Sequence, residues 1–380
     1  MLKNFNNEFF TLLIENFNKI ITDFPLKKAI FKDLEEKYPG FAQECNDYCV
    51  RCIYDYITKP LNKNISLSIS YTALKEALNV VDQYDKFYSY LLTILAEHNL
   101  LSIKNDILNF KWLTFDISTQ KKLLYLKDKY RIFKGTIGLL EHCLEAYPKI
   151  FSGELPGISV LYPNGNTNFL DDKLSEDTAE YSEMPIIKKL TAKLIADYSQ
   201  TNHLKILEIG GGRGLITREL LSVVNKINIE YHFTDISRRF ILNMEKYVND
   251  KHLNFVKCFK YDITKSSAEQ NILLNHYDLV IGLDVVHVAP DIDFALKNLQ
   301  QLLNQNGILC LLETTKTQYW QNLIMGVTTG WWQFKDQLRS HSPLLSTKNW
   351  KKALKKSGFN LINLMTLENK NSDATIIFSK

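Results

Sequence analysis

The sequence predicts an α/β chain, with a Rossmann-like sheet in its C-terminal half behind a mainly helical first half. Three observations carry that prediction. "KILEIGGGRGL", residues 205 to 215, reads as a buried strand that turns through a glycine loop into a helix. From residue 204 onward, apolar strand-like runs alternate with helical ones, the pattern of a mostly parallel sheet covered on both faces. The chain is 380 residues long, beyond the roughly 250–300 residues at which one core stops growing, so more than one domain is expected. The boundaries read as 1–150 for a helical, winged-helix-like domain for substrate or dimerisation, 151–200 for a linker and lid helices, and 201–380 for the glycine-loop domain.

Taken in order, the start "MLKNFNNEFFTLLIENFNKIITDF" breaks its apolar residues with Asn, Glu and Lys and has no small-residue cleavage site, unlike a signal peptide. No stretch reads as a bilayer span, and the six cysteines form no secreted framework, so a reducing cytoplasm is expected. A net charge of +4 is too mild to argue for nucleic acid. Residues 1 to about 60 look helical, with a turn near "KYPG". Cys45, Cys49 and Cys52 match the CxxxCxxC spacing of an iron–sulfur site, but the same spacing is one helix face, continued by Leu34, Tyr38, Phe41 and Tyr56. The helix face is favoured and no metal is assigned. Residues 68 to 112 read as helix, turn, helix and a hairpin around "KND", the order of a winged helix. Its second helix, "YDKFYSYLLTILAEH", is aromatic and apolar rather than basic, which favours packing or a homodimer contact over DNA. "SGELPGISVLYPNGNTNFLDD" looks like a linker or lid base, and "YSEMPIIKKLTAKLIADYSQ" is a helix leading into the glycine loop.

Strands are expected at "LKILEI", "IEYHFTD", "LNFVKCF", "YDLVIGL" and "GILCLLE", with helices between. A helix, "STKNWKKALKKSG", precedes the last two strands, "NLINLMTL" and "ATIIFSK". Joined by "ENKNSD", those two form an antiparallel C-terminal hairpin and bring the sheet to seven strands.

The glycine loop fails the dinucleotide fingerprint, since the third glycine position holds Leu215 or Thr217 depending on the start of the count. It also lacks the Gly-Lys-Ser/Thr of a P-loop. What stands is an acid followed by G-x-G-x-G: Glu208, Gly210, Gly212 and Gly214. This resembles motif I of the class I S-adenosylmethionine-dependent methyltransferases, whose sheet ends in such a hairpin. The resemblance implies a glycine bend under the methionine and ribose, and a carboxylate suited to a cationic ligand. Asp235 ends the next strand, where an acid can accept both ribose hydroxyls, and Asp262 lies where the family contacts adenine. Each also suits a helix N-cap. Ile236, Ile263 and Leu283 complete the cofactor set that the resemblance implies.

Two neighbouring strands end at Leu283 and Glu313, which delivers His287 and Glu313 to the same rim as the glycine loop. An imidazole suits a base near neutral pH, and a carboxylate on its far nitrogen fixes the tautomer. Here the likeness narrows. "DLVIGLDVVHVAPD", "NGILCLLE" and above all "GWWQFKDQLRSHSPLLSTKNWKKALKKSGF" resemble the C-methyltransferase domain of polyketide synthases, most clearly from about residue 155. That family implies a β-ketoacyl thioester on a carrier protein as substrate. A histidine, here His287, takes the proton between ketone and thioester, and a glutamate, here Glu313, orients it. The enolate then attacks the sulfonium methyl, with Tyr181 as an aromatic near the substrate. No ketosynthase, acyltransferase or carrier sequence accompanies it, so a free-standing version is expected, acting on a carrier-bound or free small molecule. The alternative is an O-methyltransferase for a small-molecule hydroxyl or carboxyl, which asks the same of His287. Trp320, Trp331, Trp332 and Phe334 suit either a substrate wall or core filling, and the lysine-rich helix suits either an acidic carrier protein or plain solvation.

Overall fold

The computed structural model describes residues 36–61, 68–166, 169–174, 184–199, 203–223, 228–366 and 373–380, besides residues 11, 15 and 177. The chain groups into two units. One draws on Lys32–Tyr181 and Thr317–Gln333, the other on Ser182–Lys316 and Phe334–Lys380. Residues 317–333, read from the sequence with the C-terminal domain, thus group with the N-terminal unit. Among the described residues, no helix is long and apolar enough to cross a membrane.

In the N-terminal unit, helix α1 (Tyr38–Thr58) starts with a proline in its first turn, where a missing N–H costs nothing. Tyr38, Phe41, Cys45 and Cys49 are buried along one face, and the cysteines are free thiols. Of the helical reading for residues 1 to about 60, the part before Glu36 lies outside the described residues apart from Thr11 and Glu15. Strand β1 (Ser68–Ser70), α2 (Tyr71–Ala77), α3 (Asp85–Glu97), β2 (Leu101–Lys104) and β3 (Ile107–Phe110) give the winged-helix order, with sheet order β1-β3-β2. Asn105 and Asp106, both at positive φ, make the hairpin turn. Seven residues of α3 from Phe87 to Leu95 are buried, so that helix is spent on the core. The helices α4 (Thr119–Lys129), α5 (Lys134–Phe151), α6 (Gly157–Leu161) and α7 (Phe169–Leu174) follow. Stacked rings hold the unit together, Phe41 on Phe133 at 4.1 Å and Phe87 on Trp332 at 5.1 Å between centroids.

The second unit is a seven-stranded sheet. Its elements are α8 (Met184–Ser199), β4 (Leu204–Ile209), α9 (Leu215–Val223), β5 (Ile229–Asp235), α10 (Arg238–Asp250), β6 (Val256–Lys260), β7 (Tyr277–Leu283), α11 (Ile292–Leu302), β8 (Leu303–Thr314), α12 (Thr347–Lys356), β9 (Ile362–Met365) and β10 (Ala374–Ser379). The order is β6-β5-β4-β7-β8-β10-β9, with β10 antiparallel to both neighbours and the rest parallel. Period-two alternation assigns the faces. Leu207, Ile209, Val280, Leu309, Leu311 and Ile377 face a core completed by α11 and α12, including Trp350 and Leu354. Leu204, Leu279, Cys310 and Phe378 face α8 on the other side. β4, β5 and β7 have the predicted bounds. β8 begins at Leu303, four residues before the expected Gly307, because Leu303 pairs with Tyr277 of β7; the residues up to Gly307 form a register irregularity before pairing resumes at Ile308. The loop "ENKNSD" lies outside the described residues except for Asp373.

Candidate active site

The chain runs outward from β4 to β6, then returns to lay β7 on the other side of β4. That reversal is the switch point where ligands enter an open α/β sheet. The turn after β4 and the loop after β7 meet there. A Cβ on Gly210 would stand 2.1 Å from Val285 Cγ2.

The glycine bend is built from below. Gly210 and Gly212 both have φ of +53°, the left-handed conformation that disfavours side chains. Gly212 N donates to Asp235 Oδ2 at 2.9 Å, and Ser237 N to Asp235 Oδ1 at 2.7 Å. Asp235 therefore holds the bend and the start of α10 together, while each oxygen retains capacity for a hydroxyl. Burial raises its pKa. The Ser237 N bond supports the N-cap reading for Asp235 only in part, since the N-cap residue of α10 is Ser237 itself. Among the described residues the outer side of Gly212 is open, the nearest atom to an added Cβ being Gly210 O at 3.9 Å. Ile236 is 63% exposed beside it. An open left-handed glycine, a carboxylate and an exposed apolar side chain fit a donor carrying an amino acid, a ribose and a purine.

Glu208 has a different place from the one expected. It is 2% exposed, beneath the bend, and its Oε2 accepts from Tyr231 Oη at 2.6 Å and from Thr217 Oγ1. It ties β4 to β5 and α9 rather than opening on the rim. Burial pushes its pKa up to about 7 from an ordinary 4.5. A raised carboxyl stabilises the fold most below 4.5, and that contribution is lost as pH rises through about 7. Thermal melts of Glu208→Gln against wild type will therefore show the variant gaining relative stability between those pH values. A gap that stays constant with pH would refute it.

Asp262 follows β6 by two residues and closes a local turn, its Oδ1 accepting from Thr264 N at 3.0 Å and Thr264 Oγ1 at 2.6 Å. Ile263 is turned into the core, its carbonyl held by Asn298 Nδ2 at 3.0 Å. Leu283, half-buried, ends β7. Tyr181 lies outside the described residues.

His287 sits in a single turn of 3-10 helix, Val286–Val288, and is 2% exposed. Its Nδ1 is 2.6 Å from Oε2 of Glu313, which is fully buried at the end of β8. The other oxygen, Oε1, accepts from Val286 N at 3.0 Å and Val285 N at 3.3 Å, so one carboxylate grips both the ring and the backbone of its loop. Asp284, at φ +47°, accepts from Thr314 N at 2.8 Å and pins the ends of β7 and β8 together. One ligand atom each of Asp284, His287 and Glu313 lies within 4.8 Å of the others. Burial works to lower the His287 pKa, but the charge and hydrogen bond of Glu313, backed by Asp284, outweigh it and leave it raised.

Sequence reasoning missed Arg339. It is 4% exposed and reaches the His287 loop, donating through Nη1 to His287 O and through Nη2 to Ala289 O at 2.7 Å. Asp336 accepts from its Nε at 2.8 Å. Nothing in a lone arginine between Ser and Leu residues, 52 positions downstream, announces that partner. The tryptophans settle as core. Trp320 packs on Tyr38 and Phe41, Trp331 Nε1 donates to Asn322 Oδ1, and Trp332 Nε1 donates to Gly326 O. Phe334 lies under the Arg339 guanidinium at 5.4 Å.

Residues 207–309 match the family described as "Methyltransferase domain". The non-reducing polyketide synthase adrD of Penicillium roqueforti is 26% identical over 362 residues, covering 89% of this chain and 14% of the synthase, so the chain spans about a seventh of that relative. Among solved structures, the CurJ carbon methyltransferase is 25% identical with a TM-score of 0.81, covering 98% of each chain. The trans-methyltransferase CalH, solved with S-adenosylhomocysteine, shares the fold at 20% identity and a TM-score of 0.63, covering 89% of this chain and 90% of that one.

Proposed function

We propose that this chain, an S-adenosylmethionine-dependent methyltransferase similar to the carbon methyltransferase domains of polyketide synthases, methylates the carbon between the ketone and the thioester of a β-ketoacyl chain carried on a carrier protein. The observation that carries the reading is the buried His287–Glu313 pair, 2.6 Å apart at the switch point beside the glycine bend. When bound, the donor supplies an electrophilic methyl group. The bend from Gly210 to Gly214, with Asp235 and Ile236, would hold it, and Asp262, Ile263 and Leu283 would close the purine end. Ile263 would act there through its backbone, because its side chain is in the core.

The rest follows from this chain's own residues. Glu313 at Nδ1 fixes the tautomer in which Nε2 carries the lone pair. Nε2 takes the acidic α-proton, and the electron pair left on carbon is shared with the two flanking carbonyls. Glu313 then stabilises the imidazolium. Burial keeps water from competing for the carbanion.

The test is mass spectrometry with isotopically labelled donor and competing acceptors: a β-ketoacyl pantetheine thioester, the same thioester dimethylated at the α-carbon, and a panel of phenols. Label is expected on the first alone. Label on the blocked thioester or the phenols, with none on the first, would establish oxygen transfer instead.

A further inference from the structure

We infer that Arg339, held by Asp336, is a positioning residue for His287, fixing the backbone of the loop that carries the imidazole. The inference rests on the reading of His287 as the base. A guanidinium taken almost wholly out of water needs compensation. Asp336 supplies one charge, and the other acceptors among the described residues are carbonyls of the His287 loop: His287, Ala289 and Pro290, the last at 3.3 Å. The rigid fork of arginine suits this, since a single-point lysine ammonium reaches fewer of those carbonyls at once.

The strap that carries Arg339 is itself tied down. Lys335 N donates to Pro290 O at 2.8 Å, and Asn349 Nδ2 of α12 donates to Leu338 O at 2.9 Å. The loop is thus gripped from both sides. Glu313 holds the amides of Val285 and Val286 before the histidine, and Arg339 holds the carbonyls from His287 onward. The ring cannot keep its 2.6 Å bond to Glu313 if either grip lets the turn rotate. A misplacement of about 1 Å costs on the order of 10²-fold in rate.

Arg339 also contributes charge. The charged groups facing His287 are Glu313 and Asp284, which favour the imidazolium, and Arg339, which opposes it. A group that merely filled space would leave the titration of the histidine alone.

The experiment follows kcat/KM against pH for Arg339→Met, Arg339→Lys and Asp336→Asn, with the β-ketoacyl pantetheine thioester as acceptor and calorimetric binding of S-adenosylhomocysteine in parallel. Arg339→Met is expected to lose about 10²-fold in kcat/KM, to keep cofactor affinity, and to move the acid limb to higher pH. Arg339→Lys keeps the charge and loses the fork, so its rate falls while its acid limb stays. Asp336→Asn falls between wild type and Arg339→Met. In a His287→Ala background, Arg339→Met is expected to add less than about twofold, because both act through one imidazole. Should Arg339→Met fail to fold, the lysine and Asp336 variants carry the same comparison. The inference is overturned if Arg339→Met, or failing it Arg339→Lys, stays within about twofold of wild type, loses cofactor affinity in step with rate, or keeps its full effect without His287. His287→Ala with wild-type turnover would defeat the base reading itself and the positioning role with it, before any Arg339 variant is read.

Discussion

Replacing His287 with alanine is expected to lower turnover by about 10²–10⁴-fold while leaving the affinity for S-adenosylhomocysteine unchanged. The two effects separate because of where the side chain sits. His287 projects from the loop after β7 and is bonded to Glu313 at the end of β8, whereas the proposed donor site is built mainly from the turn after β4 and the end of β5, with Asp262, Ile263 and Leu283 proposed to close its purine end. Turnover surviving in the variant would remove the imidazole from the chemistry. The pH dependence adds a second constraint. The base works as neutral imidazole, and its pKa is raised above the ordinary 6.5. Activity should therefore climb with pH along a limb centred above 6.5, not below it. Glu313→Gln removes the largest influence raising that pKa, so its limb should move to lower pH, while its plateau falls because a neutral amide cannot stabilise the imidazolium. A limb that ignores Glu313 would mean that another group titrates.

What could be read from the sequence, and what could not, divides along a physical line. β4, β5 and β7 are buried parallel strands bounded by Gly or Asp, so they stand out as apolar runs with sharp ends. Once those ends are known, the parallel order places Gly210, Asp235 and His287 on one rim, and the His287–Glu313 pair follows from two strand ends. Local chemistry misleads elsewhere. "LNQNG" has the composition of a turn, and its middle is indeed unpaired; β8 starts early because Leu303 pairs with Tyr277, a tertiary contact that local composition does not encode. Glu208 looked like a ligand carboxylate from its place beside the glycines. Its alternation partner on the sheet face, Tyr231, and Thr217 on α9 claim it instead. The Arg339 grip and the core placement of Trp320, Trp331 and Trp332 depend on which distant segments pack together, and no spacing or period encodes that.

The glycine bend admits a paired test in which neighbouring substitutions should fail for different reasons. Gly210→Ala puts a methyl group 2.1 Å from Val285 Cγ2, on a backbone at φ +53°. Left-handed strain and overpacking together cost about 2–4 kcal/mol. Val285 cannot yield freely, since its amide is held by Glu313 and its neighbour Val286 is wholly buried. Any shift therefore passes to His287, two residues on. A lowered melting temperature with losses in both cofactor affinity and turnover is expected. Gly212→Ala has the same φ, but among the described residues its methyl would meet only Gly210 O at 3.9 Å, so its folding cost is the backbone term, about 1 kcal/mol. Its methyl group instead fills the opening through which the donor's amino-acid chain would pass against the backbone. Affinity for S-adenosylhomocysteine should fall at least about tenfold, or 1.4 kcal/mol, with the melting temperature nearly kept. Calorimetric binding and thermal melts of the two variants, side by side, decide the matter. A Gly212→Ala protein that melts normally and binds S-adenosylhomocysteine as tightly as wild type would show that the bend is not the donor's seat, because among the described residues the added methyl meets only Gly210 O, at 3.9 Å.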